Sequence, residues 1–376
     1  MKVVVAIDSL KGSLTSLEAG NAIKEGILRV CDAEVIIVPL ADGGEGTVDA
    51  LIEGMNGNAV ILEVTGPLKK KVICKYGILN ESKTAVLEMA QAAGITLISK
   101  EELNPLDTTT FGLGEMIKDA IIKGCRNFII GIGGSSTNDG GVGMLQALGF
   151  EFHDKNGDSI ILGGGQLAKI HHIEMKNKLK ELDECTFKIA CDVINPLLGE
   201  NGATYVYGPQ KGATSEMLEA LEKGMTNFSN RVKEELGIDV EKVQGTGAAG
   251  GLGYGFLAFL NSHLESGIEI ILKEIKFEKA IINADYVITG EGKLDLQTAM
   301  GKGPIGVAKL AKKHGIKVLA FAGTVTEEAI KCNEEGIDAY FSIVNGPMSL
   351  EKSMDKEVAR KNMVNTVEQV FNLICM

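Results

Sequence analysis

Tryptophan is absent from this chain of 376 residues, and arginine is scarce. Arginine occurs only at positions 29, 126, 231 and 360, none of them in a glycine-rich motif. A bound anion would therefore be held by lysines and backbone N–H groups rather than by the bidentate fork of an arginine. The histidines, at positions 153, 171, 172, 263 and 314, also fall outside these motifs. A Ser-His-Asp triad and a zinc hydrolase site are both disfavoured for that reason.

Other features that would define a function class are missing as well. The 7 cysteines form no C-x-x-C pair, which favours buried thiols in a reducing cytosol. The apolar start of the chain is too short for a signal peptide, and no apolar run has the length of a membrane span. With 38 basic and 50 acidic residues the net charge is -12, which argues against nucleic acid and anionic membranes as partners. We expect a cytoplasmic protein that binds small molecules.

What the sequence has instead is a repeated pairing of apolar runs with acidic, glycine-rich turns. Short apolar runs of this kind predict strands buried on both faces of a parallel sheet. Ligands of open α/β sheets bind beyond the carboxyl ends of such strands. Carboxylates there, among backbone N–H groups that glycine leaves accessible, suit a metal ion and a phosphorylated ligand. The acidic residues at these predicted strand ends are Asp8, Asp42, Asp139, Glu291 and Asp295.

The order of predicted elements indicates an α/β protein of two domains. Strands and helices alternate near the start, where Thr15 and Glu18 form a capping box, and alternate again from about residue 280. Residues 59–90 predict antiparallel β segments, and strands are expected at FKIA and ATYVY in the loop-rich stretch 150–215. We predict a discontinuous doubly wound, flavodoxin- or Rossmann-like domain of residues 1–64 and 280–376. A second, mixed α/β domain of residues 65–279 is inserted into it.

The segment GIGGSSTNDGGVG, residues 131–143, is the most specific of the motifs. Its glycines permit positive φ, its hydroxyl groups add donors, and a predicted helix N-terminus that favours anions follows. The alternative is a tight strand-to-helix turn in which Asn138 or Asp139 caps the helix. In contrast, GTGAAG at residues 245–250 matches a dinucleotide motif without a preceding strand, and close packing explains it better. No GxxxxGK[ST] motif is present, so the chain is not a P-loop enzyme.

The remaining polar motifs each have a structural alternative. Lys11 in DSLKGS could be a solvated surface lysine, and Asp42 and Glu45 in ADGGEGT could simply favour a helix N-terminus. Asp192 in CDVINPLLG could be a carboxylate held by backbone amides. The run GEGKLDLQTAMGKGP, residues 290–304, contains acidic and basic residues close together, at Glu291, Lys293, Asp295 and Lys302. This density of unlike charged residues favours a functional role over a purely structural one.

At these residues the chain resembles the type I glycerate kinases, the bacterial glycerate 2-kinase family. The matching blocks follow the family order and include AIDSLKGSLTS, PLADGGEGT, LEMAQAAG, GIGGSSTNDGGVGMLQALG, CDVINPLLG, GPQKGAT and ADYVITGEGKLDLQTAMGKGP. Departures are mild: Leu10 stands for a commoner Phe, Ser136 for Ala and Lys293 for a frequent Arg. The last keeps the charge but loses the bidentate fork, so a phosphate clamp there should be looser.

The resemblance implies ATP- and Mg²⁺-dependent phosphorylation of D-glycerate in a cleft between the domains, with a carboxylate as base. For catalysis we predict Asp192 as the base and Lys11 as its catalytic partner, with Lys11 and Lys211 pairing with the glycerate carboxylate. Glu291 and Asp295 are the predicted metal ligands. The predicted substrate-binding residues are Asp8, Asp42, Glu45 and Lys211, and Asp42 and Glu45 could hold either the metal or the substrate hydroxyls. The predicted nucleotide-binding residues are Gly133, Gly134, Ser135, Ser136, Asn138, Asp139 and Lys293.

Two other functions stay open at this point. GTGAAG would suit a dinucleotide-dependent oxidoreductase of small hydroxy acids. A sensor that binds small organic acids without turnover is the second alternative. The motifs do not decide between 2- and 3-phosphoglycerate as the product, and they give no indication of the oligomeric state.

Overall fold

Strands and helices alternate along most of the chain in the computed structural model, which describes residues 1–41, 44 and 46–376. The strands are β1 Lys2–Val5, β2 Glu34–Ile37, β3 Gly57–Thr65, β4 Lys71–Leu79, β5 Thr84–Glu88, β6 Asn127–Gly131, β7 Glu151–His153, β8 His172–Glu174, β9 Thr186–Ala190, β10 Ser262–Glu265, β11 Tyr286–Leu294, β12 Lys317–Val325 and β13 Ala339–Ser342. The helices are α1 Ser16–Leu28, α2 Thr47–Gly54, α3 Ala90–Ala93, α4 Phe111–Ile122, α5 Val142–Ala147, α6 Ala203–Tyr207, α7 Ser215–Leu236, α8 Ala248–Phe259, α9 Gly267–Glu274, α10 Phe277–Ala280, α11 Leu296–Ala299, α12 Gly303–Lys313, α13 Lys331–Glu334, α14 Leu350–Met354 and α15 Lys356–Ile374. Among the described residues no helix is both long and apolar enough to span a membrane.

The chain divides into two units. Unit 1 comprises the described residues of Met1–Asp42, Asp49–Asn56 and Ile268–Met376, and unit 2 those of Gly43–Val48 and Gly57–Gly267.

Unit 1 is built on a parallel sheet of strand order β13-β12-β11-β1-β2. Val3, Val4 and Val5 have no exposed surface, because helices cover both faces of the sheet. The predicted capping box of α1 is confirmed: the Thr15 side chain accepts from the N–H of Glu18, whose side chain accepts from the N–H of Thr15. Since β1 and β11 are parallel neighbours, the residues that follow them lie at one edge of the sheet.

Unit 2 contains a mixed sheet of strand order β10-β9-β6-β5-β4-β3 and a separate antiparallel ribbon, β7–β8. The predicted antiparallel segments are confirmed as β3, β4 and β5, while β5, β6, β9 and β10 run parallel. The α/β class predicted from the sequence is thus confirmed, with a parallel sheet in one unit and a mixed sheet in the other.

One predicted strand is wrong. ATYVY forms helix α6, which begins after Gly202 and ends at Tyr207. Its β-branched residues and tyrosines favour a strand only weakly, and context overrides such preferences.

Candidate active site

The carboxyl edge of the unit 1 sheet gathers the first group of predicted residues. Asp8 follows β1, is buried, and is fixed by its backbone N–H, which donates to the Gly290 carbonyl at 2.9 Å. The Ser9 N–H donates to its Oδ1 at 2.6 Å. Gly290 has φ 153°, and a Cβ there would lie 1.8 Å from the Phe321 carbonyl oxygen. Glycine is therefore required for β11 to pass β12 and present Glu291 at this edge.

The two predicted metal ligands are joined through one hydroxyl group. Thr298 Oγ1 donates to Glu291 Oε1 at 2.6 Å and accepts from the backbone N–H of Asp295 at 3.2 Å. Asp295 in turn caps α11, because its Oδ1 accepts from the N–H groups of Gln297 and Thr298. Thr298 itself is fully buried. The Thr298 hydroxyl therefore holds the Glu291 carboxylate against the backbone of Asp295, while backbone N–H groups hold the Asp295 carboxylate.

Lys293 pairs with Asp295, with 3.3 Å between its Nζ and the Asp295 Oδ2. Burial acts to raise the pKa of the Asp295 carboxyl, but the hydrogen bonds from Lys293, Thr298 and Gln297 outweigh it and lower the pKa. Asp295 is therefore ionised at neutral pH, as a ligand for a cation must be.

A cavity of about 450 Å³ in unit 1 connects these groups. That volume lies within the range of small-molecule sites, roughly 300–1,000 Å³. Its lining includes the charged residues Asp8, Lys11, Glu291, Lys293, Asp295 and Lys302. It also includes the apolar residues Leu10, Ile343, Val344, Leu350 and Met354. The cavity thus combines carboxylates and lysines with an apolar surface, which suits a ligand that has both an anionic and an apolar portion.

The glycine-rich loop of unit 2 is exposed only at its beginning. Gly133 and Gly134 are exposed, and a Cβ at Gly133 would meet no atom within 4 Å. Ser135 is 8% exposed, whereas Ser136 and Asn138 have no exposed surface. In this conformation the side chains predicted to face the nucleotide therefore lie inside unit 2, and the backbone at Gly133 and Gly134 is what a ligand can reach.

Asp139 is the structural centre of this loop. Its Oδ2 accepts from the backbone N–H and the hydroxyl of Thr110, at 2.8 and 2.9 Å, and from the Gly143 N–H at 3.3 Å. Its Oδ1 accepts from the Gly141 N–H at 3.2 Å. Burial raises the pKa of Asp139, although these hydrogen bonds act to lower it. The side chain is enclosed by donors from its own unit, as the structural alternative for this residue requires, and is not placed to contact a nucleotide.

Lys211 lies beneath the same loop, where its Nζ donates to the Thr137 carbonyl oxygen at 2.6 Å. It is 1% exposed. Burial lowers the pKa of its ammonium group to about 7, although the negative charge of Asp139 acts to raise it. The predicted pairing with the glycerate carboxylate is not the contact that this side chain makes. The turn Pro209–Lys211 directs it inward, which the sequence motif does not reveal.

Asp192 follows β9 and is exposed. Its Oδ1 accepts from the Gly267 N–H at 3.0 Å and from the Ser266 hydroxyl at 3.1 Å. These donors come from the segment after β10, the parallel neighbour of β9. Asp192 therefore lies at the carboxyl edge of the unit 2 sheet, as an accessible and oriented carboxylate.

Asp42 and Glu45 lie outside the described residues. Beside them along the chain, the N–H groups of Gly46 and Val48 donate to Glu88 Oε1 at 3.1 and 2.9 Å. Glu88 is 5% exposed and was not among the predicted site residues. It could have been found from the sequence, because it too ends an apolar strand, TAVLE, at an acidic position.

The GTGAAG segment serves close packing. A Cβ at Gly250 would lie 2.0 Å from the Thr137 carbonyl oxygen, and one at Gly247 would lie 2.2 Å from that of Pro196. Both glycines are therefore needed for backbone-to-backbone contact within unit 2, one of them with the glycine-rich loop. This agrees with the packing interpretation of the motif.

Comparisons with known proteins agree along nearly the whole chain. The sequence model of the glycerate kinase family matches residues 3–375. A glycerate kinase of Halalkalibacterium halodurans is 46% identical over 94% of this chain and 93% of its own length. A glycerate 2-kinase of Escherichia coli is 45% identical over the same shares. A crystal structure assigned as glycerate kinase 2 from Salmonella typhimurium LT2 superposes with a TM-score of 0.92 at 42% identity, over 100% of this chain and 98% of that one. The chain therefore belongs to the glycerate kinase family of enzymes.

Proposed function

We propose that the chain transfers the γ-phosphoryl group of ATP to D-glycerate in the cytoplasm, forming 2-phosphoglycerate. The 2-hydroxyl oxygen bonds to the γ-phosphorus, the bond from that phosphorus to the ADP oxygen breaks, and the hydroxyl proton passes to a carboxylate. The relative from Escherichia coli, named glycerate 2-kinase, supports the 2-position. The cysteines, all of which are free thiols, support a reducing compartment.

The observation that carries this proposal is the charged cavity of unit 1. Lys11, Lys293 and Lys302 line the same 450 Å³ space as the carboxylates of Glu291 and Asp295. Phosphoryl transfer requires positive groups that hold the phosphates in place and carboxylates that bind the accompanying metal ion. We assign Lys293 and Lys302 to phosphate oxygens, Lys11 to the glycerate carboxylate, and the apolar lining residues to the uncharged portion of the nucleotide.

The donor set at the cavity fits Mg²⁺. This ion prefers oxygen ligands and is held in nucleotide enzymes by one or two carboxylates together with phosphates. Glu291 and Asp295 supply such carboxylates, and the Thr298 hydroxyl holds the Glu291 carboxylate beside the Asp295 backbone. When bound, Mg²⁺ would neutralise phosphate charge. The protein residues orient the ligands and keep Asp295 ionised.

In unit 2 we assign Gly133 and Gly134 to phosphate contacts through their exposed backbone, and Asp192 to proton acceptance. Asp192 is exposed, and two donors orient its carboxylate. Asp139 and Lys211 then support the loop from within. For Asp42 and Glu45 we retain the proposal that they bind the metal or the glycerate hydroxyls.

The role of Asp192 is tested with Asp192→Asn. Because the amide cannot accept the hydroxyl proton, we expect kcat to fall by about 10²–10⁴-fold while ATP binding is unchanged. Ser266→Ala is the matched control, since it removes one donor to Asp192 but keeps the carboxylate, and it should cost much less activity. Near-normal turnover by Asp192→Asn would remove this residue as the base.

An ADP-release assay with Mg²⁺, ATP and a panel of hydroxy acids tests the function as a whole. We expect ADP release that depends on D-glycerate. Reduction of NAD(P)⁺ by a hydroxy acid would favour the oxidoreductase instead. Tight binding of glycerate without ADP release would favour the sensor.

A further inference from the structure

The ribbon β7–β8 of unit 2 carries a group of three side chains that the kinase reaction does not use. Glu151 and His153 are two residues apart on β7, and Glu174 pairs directly with Glu151 across the ribbon. Side chains two apart on a strand, and those directly opposite across an antiparallel pair, share one face. Like charges in directly opposite positions repel each other. A positively charged partner on this face would therefore stabilise the Glu151–Glu174 pair.

His153 lies between the two carboxylates. Its Nε2 is 3.5 Å from Glu151 Oε2 and 4.0 Å from Glu174 Oε2. Both of its ring nitrogens are buried and have no hydrogen-bond partner in the part of the chain that the structure describes. A buried polar atom without a partner is rare in folded proteins and needs an explanation. An ion bound at Nε2 would satisfy that nitrogen and the two carboxylates together.

The geometry suits a small transition-metal ion. One ligand atom from each residue lies within 4.8 Å of the other two. Bonds of about 2.0 Å to Zn²⁺ place tetrahedral ligand atoms roughly 3.3 Å apart, so modest side-chain movement would close the site. Asn177 Nδ2 donates to Glu151 Oε1 at 2.7 Å, which orients the carboxylate with its other oxygen available to an ion.

We propose that Glu151, His153 and Glu174 form a binding site for a divalent transition-metal ion, most specifically Zn²⁺. The bound ion would link strand β7 to strand β8. The imidazole ligand selects for Zn²⁺ and its neighbours among the transition metals, because Mg²⁺ prefers a set of oxygen ligands. The site is thus chemically distinct from the one proposed for Mg²⁺ in unit 1. Its role is to stabilise the ribbon, and the proposal does not depend on the kinase reaction.

The test is zinc binding by the full-length, chelator-treated protein in the absence of nucleotide. Calorimetric titration with Zn²⁺ should show one tight site, and Co²⁺ in its place should give the visible absorption of a tetrahedral complex. At a free Zn²⁺ concentration of 100 times Kd, the melting temperature should rise by about 3 °C. His153→Gln should lower the affinity at least 100-fold and abolish the rise.

His263→Gln is the matched control, because His263 is an exposed histidine on β10, outside the β7–β8 ribbon. It should bind Zn²⁺ as the unmodified chain does. If His153→Gln does not fold by circular dichroism, Glu174→Gln takes its place with the same expected loss. The proposal is overturned if no stoichiometric Zn²⁺ binds. It is also overturned if the ligand variant binds as tightly as the control, since the zinc then lies elsewhere.

Discussion

The ammonium of Lys211 is held inside unit 2 by the Thr137 carbonyl, and burial lowers its pKa to about 7. In the unfolded chain a lysine has a pKa of about 10.4. Between these two values the unfolded chain binds more protons than the folded one, so the contribution of this group to stability rises with pH. Below about pH 7 the folded protein has to bury a charged ammonium, and the desolvation of that charge then lowers the free energy of unfolding by its full amount.

Replacing Lys211 by Met should therefore remove a pH dependence. We expect the stability of the unmodified chain to rise relative to that of Lys211→Met by on the order of 2 kcal/mol between pH 7 and 9. Urea unfolding followed by circular dichroism at several pH values measures this. Lys223→Met, at an exposed position on α7, makes the same change of charge without burial and should show no such trend. Parallel stability curves for the unmodified chain and Lys211→Met would contradict the account.

Thr298 offers a second test at the scale of single residues, because its hydroxyl links Glu291 to Asp295. Thr298→Val keeps the shape of the side chain but removes the hydroxyl. Loss of such an orienting partner typically costs 10–100-fold in metal affinity or activity, and we expect a decrease of about that size in kcat/KM for MgATP. Thr298→Ser retains the hydroxyl and should stay close to the unmodified enzyme. Equal kinetics for the two variants would show that the hydroxyl does not orient the Glu291 carboxylate.

At the scale of elements, the passage of β11 beside β12 depends on one glycine. Gly290 has φ 153° and would place a Cβ 1.8 Å from the Phe321 carbonyl, whereas a Cβ at Gly292 would meet its nearest atom at an ordinary 3.6 Å. Gly290→Ala should lower the free energy of unfolding by about 3 kcal/mol or more through strain and overpacking. Gly292→Ala should change it by less than about 1 kcal/mol. Chemical denaturation of both variants measures the difference, and similar losses would contradict this account of the sheet edge.

The sequence predicts those elements whose conformation is determined by residues close to one another along the chain. The capping box of α1 and the strands β3, β4 and β5 depend on neighbouring residues and on short periodic patterns, and these predictions are confirmed. The segment ATYVY has a strand-like composition but forms α6, which packs against α7 and α8. That information is not local, so composition could not supply it.

The site was predictable to a similar extent. The carboxylates at strand ends are found from where apolar runs stop, and Asp8 and Glu291 do meet at one edge through the parallel pairing of β1 and β11. The direction of a side chain is a different matter. Asp139 and Lys211 belong to polar motifs that look ligand-facing, yet tertiary packing turns both inward. Nothing in the spacing of those motifs distinguishes an inward from an outward side chain.

At the scale of the whole molecule, the net charge of -12 has the same sign as the charges of the proposed ligands ATP and glycerate. Local charge resolves this, since exposed charges farther apart than about 8 Å are largely screened at physiological ionic strength. Lys11, Lys293 and Lys302 lie together on one cavity and supply positive potential where it is needed. Carboxylates elsewhere on the surface have little influence at that distance.

The central claim, phosphorylation of D-glycerate by ATP, is tested most directly by ³¹P NMR of the complete reaction. The purified chain is incubated with Mg²⁺, ATP and D-glycerate, and the phosphorus signals are followed in time. The account predicts that the γ-phosphate signal of ATP disappears while ADP and the phosphomonoester of 2-phosphoglycerate appear in equal amounts. An ATP signal that persists, or that converts only to inorganic phosphate, would contradict it.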